Sequence, residues 1–200
     1  MWGIKRLFVW AMRIGYCRGF GVQSPWAYSF IRYVVNEHYP YYSYDALAKR
    51  VVDARGITAK LCRLYFRISN YCQPCCILDF GAATDAYREY FCAGCKKADV
   101  VSLRDDMHSE EYSGILASMH SVDMVRISLT GNYREFYSLA RVKATPGAVF
   151  IIEGIKRDHK SRRMWKEIVS ESCAVSFDLY YCGVVFFDEK RYRQNYIVNF

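Results

Sequence analysis

Residues 72–95, CQPCCILDFGAATDAYREYFCAGC, put two kinds of chemistry into one stretch. Cys72 and Cys75, then Cys92 and Cys95, form two Cys-x2-Cys pairs with sixteen residues between them, the spacing of a four-thiolate zinc site. Such sites hold short knuckles, whereas the residues between these pairs read as a strand followed by a helix. Neither pair opens a helix, the position that lowers a thiol pKa. No metal is therefore expected. Nine cysteines, several in apolar settings (Cys62, Cys173, Cys182), fit the reduced, buried thiols of a cytoplasmic protein.

Between the pairs, ILDFGAATDA reads as a buried strand, a small-residue turn and the start of a helix. Gly81 lets the chain turn sharply, Ala83 is nearly as small, and a helix beginning near Thr84 aims its N–H groups at an anion. Asp79 closes the strand, and Asp85 is itself an anion that could cap the helix. A tight turn without ligand satisfies the same residues. Three further strand ends carry candidates. Asp105 follows VVSL, where an acid commonly receives a ribose, although Arg104 precedes it. Ser128 and Thr130 end the next strand without an acid. Glu153 ends the fourth and is placed to act as a base; a lone carboxylate does not fix a metal. His159 follows within KRDHKSRR (156–163), the densest basic patch, which suits an acidic substrate or the solvated start of a helix. His38, His108 and His120 show no partner that would make a nucleophile.

The elements that must position these residues follow from periodicity. CCILDF, ADVVSL, VDMVRISL and GAVFIIEG are short apolar runs rich in branched residues, and amphipathic stretches separate them. This alternation predicts an α/β domain with a mainly parallel sheet, because parallel neighbours need crossover helices. AVSFDLYYCGVVFFDEKRYRQNYIVNF has no room for helices, so antiparallel strands should close one edge. Residues 1–70 read as a helical cap region and 71–200 as the sheet domain. Ser24-Pro25 reads as a helix cap with proline in the first turn. Tyr28, Ile31, Val34 and Val35 share one face, a second helix ends near Gly56, and Leu61, Leu64, Tyr65 and Ile68 mark a third.

The chain is 52% hydrophobic and 24% charged, which excludes disorder. Its net charge of +8 favours anionic ligands without naming them. No apolar run is long enough to span a membrane. MWGIKRLFVWAMRIGYCRGFG is basic and amphipathic, a helix that packs on its own domain or touches a membrane surface. Nucleic acid is not an expected partner, and the load of 18 Tyr, 12 Phe and 4 Trp suits a homodimer interface.

Taken together, the chain resembles class I S-adenosylmethionine-dependent methyltransferases, and more closely a bacterial family with a short helical N-terminal region. The resemblance rests on RGFGVQSPWAYSFI (18–31), YYSYDALAKR (41–50), LYFRISNYCQPCCILDFGAAT (64–84), GAVFIIEGIKRDHKSRRMWKEI (147–168) and FDLYYCGVVFF (177–187). It implies a Rossmann-like methyltransferase fold with S-adenosylmethionine bound at Asp79, Gly81, Ala83, Thr84 and Asp105. It also implies direct methyl transfer to an oxygen or nitrogen of a small-molecule or protein acceptor, with Glu153 or His159 taking the proton. Gly21, Ser24 and Tyr28 would cover the site. The departures share one direction. Asp85 stands where the family has a second glycine, the ribose acid is displaced near Arg104, and Ser128 replaces an acid. The chain is also one β/α unit short between Asp106 and Val122. A catalytically inactive binding or interaction protein on the same fold is the alternative expectation.

Overall fold

A computed structural model describes the chain except residues 1, 17, 18, 20, 52, 53, 83, 172–174 and 189, and except the side chains of residues 2–6 and 171. Four helices come first: α1 (Trp2–Met12), α2 (Pro25–Phe30), α3 (Tyr42–Arg50) and α4 (Ile57–Cys72). Strands and helices then alternate as β1 (Cys76–Phe80), α5 (Ala86–Gly94), β2 (Asp99–Leu103), α6 (Ser109–Ser118), β3 (Val122–Ser128), α7 (Tyr133–Lys143), β4 (Ala144–Glu153) and α8 (His159–Glu171). Strands β5 (Val175–Asp178), β6 (Cys182–Phe186) and β7 (Gln194–Ile197) finish the chain.

The seven strands form one sheet in the order β2-β1-β3-β4-β6-β5-β7. Strands β2, β1, β3 and β4 are parallel, β6 runs against β4 and β5, and β7 pairs with β5 in parallel. The reversal therefore resides in β6 alone. β2 is an edge strand, and only α6 connects it to β3. That edge is where the β/α unit expected to be absent between Asp106 and Val122 would fall.

The pleat sends alternate residues to opposite faces. Ile77, Met124, Val149, Ile151, Phe177 and Val184 face a core roofed by α2–α5. Leu78, Phe80, Val125, Ile127, Phe150 and Ile152 face a second core under α6, α7 and α8. Two close approaches set the layers. A Cβ on Gly94 would lie 2.3 Å from the Phe66 carbonyl oxygen, so only glycine lets α5 sit on α4. A Cβ on Gly183 would enter the Trp165 ring, which lies flat on β6.

The N-terminal helices follow their sequence signals, with two departures. The Ser24 hydroxyl accepts a hydrogen bond from the Ala27 N–H at 3.3 Å, and Pro25 occupies the first turn. After Phe30 the helix widens into a π-turn over Ile31–Val35, where the Asn36 N–H donates to the Ile31 carbonyl. Widening buries Phe30, Ile31, Val34 and Val35, while Tyr28 turns to solvent. Arg67, buried in α4, donates to the freed carbonyls of Val34 (2.5 Å) and Val35 (3.1 Å), satisfying groups the helix end leaves without partners. Helix α3 stops at Arg50 rather than near Gly56, because the β-branched Val51 has already left helical geometry (φ −110°, ψ 80°).

Candidate active site

The period-2 pleat decides which side chains meet. Asp79 on β1, Arg126 on β3 and Glu153 on β4 all point to the face covered by α4 and α5. Asp79 is the register partner of Arg126, and Glu153 lies two residues beyond Ile151, the partner of Arg126 on β4. Arg126 is fully buried between the two acids. Its Nη1 donates to Asp79 Oδ1 at 2.8 Å and to the Phe80 carbonyl at 3.0 Å. Its Nε and Nη2 donate to Glu153 Oε2 at 3.1 and 2.7 Å. From the helices above, the Tyr65 hydroxyl donates to Glu153 Oε2 at 2.7 Å and the Tyr87 hydroxyl to Oε1 at 3.2 Å. The guanidinium carbon lies 4.6 Å from the centre of the Tyr87 ring, a cation–π contact in a desolvated setting.

The electrostatics follow from this packing. Burial works against the Arg126 charge, but Glu153 and Asp79 more than offset it and hold its pKa well above the usual value. Burial pushes the Asp79 carboxyl up against the pull of Arg126. Burial and then Glu153 push the Tyr65 and Tyr87 phenols up, so both stay protonated donors. Both oxygens of Glu153 are occupied as acceptors, which opposes a role as a free base.

Around Gly81 the loops after β1, β2 and β3 interlock. Gly81 has φ +66°, and a Cβ there would lie 3.0 Å from Thr130 Oγ1, 3.2 Å from Ser128 Cβ and 3.3 Å from Asp105 Cβ. Gly131, at φ +57°, presses on Asp105, whose carbonyl oxygen would lie 2.2 Å from a Cβ. A larger residue at Gly81 would therefore press on Thr130, Ser128 and Asp105. Asp85 takes the N-cap position of α5 without a side-chain cap hydrogen bond, and Thr84 Oγ1 before it accepts from the Ala86 N–H at 3.2 Å. Ala83 lies outside the described residues. His159 opens α8 exposed to solvent. Asp158 caps that helix by accepting from the Ser161 N–H at 2.7 Å. The expected residues thus fall into three places: Asp79 and Glu153 joined through Arg126, Gly81 and Asp105 joined through the 128–131 loop, and His159 at the surface.

Arg126, Tyr65 and Tyr87 are the members that sequence reasoning missed. A signal existed: an arginine inside the apolar run of a central strand must find buried partners. The basic patch is partly spent on structure. Lys156 pairs with Asp178 at 2.7 Å, and Arg157 donates to the Leu129 carbonyl.

The cysteine pairs do not assemble. Among the described residues no three His, Cys, Asp or Glu side chains are grouped to hold a metal ion. Cys95 is buried with its thiol 3.4 Å from the Pro74 carbonyl, while Cys75 is exposed. Burial pushes the Cys62 and Cys72 thiols up to about 12, far from a thiolate nucleophile. Cys173 lies outside the described residues.

No family model matches the chain, and no curated protein does. Solved structures do. An O-methyltransferase from Klebsiella pneumoniae, described as putative, is 11% identical with a TM-score of 0.54, covering 78% of this chain and 94% of its own. TomG of Streptomyces achromogenes, an O-methyltransferase of tomaymycin synthesis solved with S-adenosylmethionine, is 13% identical with a TM-score of 0.51, covering 75% and 91%. An O-methyltransferase from Bacillus cereus, solved with the demethylated cofactor, is 15% identical with a TM-score of 0.50, covering 78% and 94%. The chain has the Rossmann-like fold of S-adenosylmethionine-dependent O-methyltransferases.

Proposed function

We propose that this methyltransferase-like chain is a binding or interaction protein whose cofactor crevice has become a buried ionic cluster. One observation carries the reading: the guanidinium of Arg126 holds both acids, Asp79 and Glu153, that the sequence offers to cofactor and catalysis. S-adenosylmethionine brings a sulfonium and an ammonium, both cationic. At Asp79 Oδ1 they would compete with a guanidinium that is never neutral, and at the unpartnered Oδ2 they would lie beside its positive charge. Breaking a buried pair costs about 3–5 kcal/mol, or roughly two to three and a half orders of magnitude in affinity. The residues present therefore do not fit the cofactor as they stand.

Other features support the same reading. Tyr33, Tyr39, Tyr42 and Tyr192 are exposed, the amphipathic kind of side chain enriched at protein interfaces, which suits a protein partner or a second copy. The described cysteines are free thiols, in keeping with a cytoplasmic setting. The division at residue 70 is read as one of roles: residues 1–70 roof the ionic cluster and present surface, and 71–200 supply the scaffold.

A second reading, methyl transfer to an oxygen or nitrogen acceptor, has one observation in its favour. Asp79 Oδ2 and Thr130 Oγ1 are buried without a hydrogen-bond partner, and both belong to residues beside Gly81. Polar atoms left in this way are ones a ligand could satisfy. Thermal unfolding with millimolar S-adenosylmethionine separates the readings. The interaction-protein reading expects the midpoint to move by less than about 1 °C. A micromolar site would raise it by about 8–16 °C.

A further inference from the structure

Helix α1 and the turn after it hold their apolar side chains outward. Leu7, Phe8, Trp10, Met12, Ile14 and Tyr16 are between 50% and 68% exposed, and among the described side chains of this stretch Val9 is the buried apolar one. The orientation is fixed from below. The Arg13 guanidinium pairs with Asp178 at 2.7 Å and donates to the carbonyls of Asp178 and Val198 at 3.0 and 3.1 Å. The Asn199 amide donates to the Trp10 carbonyl at 3.2 Å, and the Asn199 N–H to the Tyr16 carbonyl at 3.2 Å. A segment tethered on one side and apolar on the other is a face built to be covered.

Charge decides what covers it. Residues 1–36 contain no acid, the first being Glu37; with Arg13 spent on Asp178, Lys5, Arg6, Arg18 and Arg32 remain as cations. A second copy placed face to face would bring these like charges together. A surface of anionic lipid headgroups would attract them while its acyl boundary received the apolar side chains. Eleven helical residues reach about 16 Å, half of the roughly 30 Å hydrocarbon core, so the helix lies in the interface. No helix among the described residues is long and apolar enough to cross a membrane.

We propose that α1 and the following turn dock the protein on a bilayer surface bearing anionic phospholipid, with Leu7, Phe8, Trp10 and Met12 entering the headgroup–acyl boundary. Co-sedimentation of the full chain with vesicles tests this, using phosphatidylcholine alone and phosphatidylcholine mixed with phosphatidylglycerol in about equal parts. The protein should sediment with the mixed vesicles, should leave them as salt rises, and should ignore phosphatidylcholine alone. The combined variant Leu7→Ser, Phe8→Ser, Met12→Ser should bind at least about tenfold more weakly. Its circular dichroism should stay unchanged, because these side chains are exposed. In the wild-type protein vesicles should shift tryptophan fluorescence to the blue, and Trp10→Phe should remove that shift. No binding to mixed vesicles overturns the proposal. Undiminished binding of the triple variant overturns it too, since charge alone would then suffice. Self-association that the triple variant abolishes, in a protein indifferent to vesicles, would assign the face to a second copy.

Discussion

Arg126 occupies a strand position flanked by Met124, Val125 and Ile127, all buried. A charge there persists only because each of its three nitrogens finds an acceptor, and because two acids share it. The net worth of such a triad is modest, but the cost of breaking it is not. Arg126→Met should therefore lower unfolding free energy by about 3–5 kcal/mol, measured by urea denaturation. Adding Asp79→Asn should recover part of the loss by removing one uncompensated acid. A loss below about 1 kcal/mol for the single variant would mean that the acids relax by protonation. The candidate acids were legible in the sequence because they end apolar runs. Their shared partner was not. Arg126 is 47 positions from Asp79 and 27 from Glu153, while Tyr65 is 88 from Glu153. A pairing of that kind is set by sheet register and helix placement, which no local pattern encodes.

At the scale of elements, Asp178 is the junction between the end of β5, Arg13 just after α1 and the loop leading into α8. It accepts from Arg13 at 2.7 Å, from Lys156 at 2.7 Å and from the Tyr180 N–H at 2.9 Å. Burial opposes its charge, but the hydrogen bonds of Lys156 and Arg13 win and hold the carboxyl below the usual range. A folded-state pKa below the unfolded one adds stability above the unfolded value, and this is lost as pH falls through the folded value. Asp178→Asn should thus cost about 1.5–3 kcal/mol near neutrality. Its deficit against the wild type should shrink as pH drops below about 4. Chemical denaturation at several pH values checks both limbs; a deficit constant down to pH 2 would remove the carboxylate from the account. Element order was readable because period 2 and period 3.6 alternate cleanly after residue 75. Less readable were the π-turn at Ile31–Val35 and the parallel pairing of β7 with β5. The first depends on Arg67 arriving from another helix, and the second on the chain crossing from β6 past β5.

For the molecule as a whole, the apolar scaffold of a methyltransferase fold is intact while its polar positions serve stability. Asp79 and Glu153 neutralise an arginine, Asp105 packs under Gly131, Thr84 accepts from the start of α5, and Asp158 caps α8. A fold does not fix a function, and here Glu153, Thr84, Asp158 and one oxygen of Asp79 have partners inside the protein. Strand β2 forms one edge of the sheet, with α6 alone leading from it to β3. The exposed apolar side of α1 lies on a different part of the molecule, tied to the β5 and β7 end. Scaffold and surface could therefore have diverged independently.

Isothermal titration calorimetry of the wild-type chain with S-adenosylhomocysteine addresses the central claim most directly. This product carries the ammonium and ribose of the cofactor without the sulfonium. If Arg126 holds Asp79 and Glu153, no binding heat should appear up to about millimolar ligand. Binding at micromolar strength would contradict the account. It would show that the Asp79–Gly81 loop still opens to a ligand, and would restore methyl transfer as the leading function.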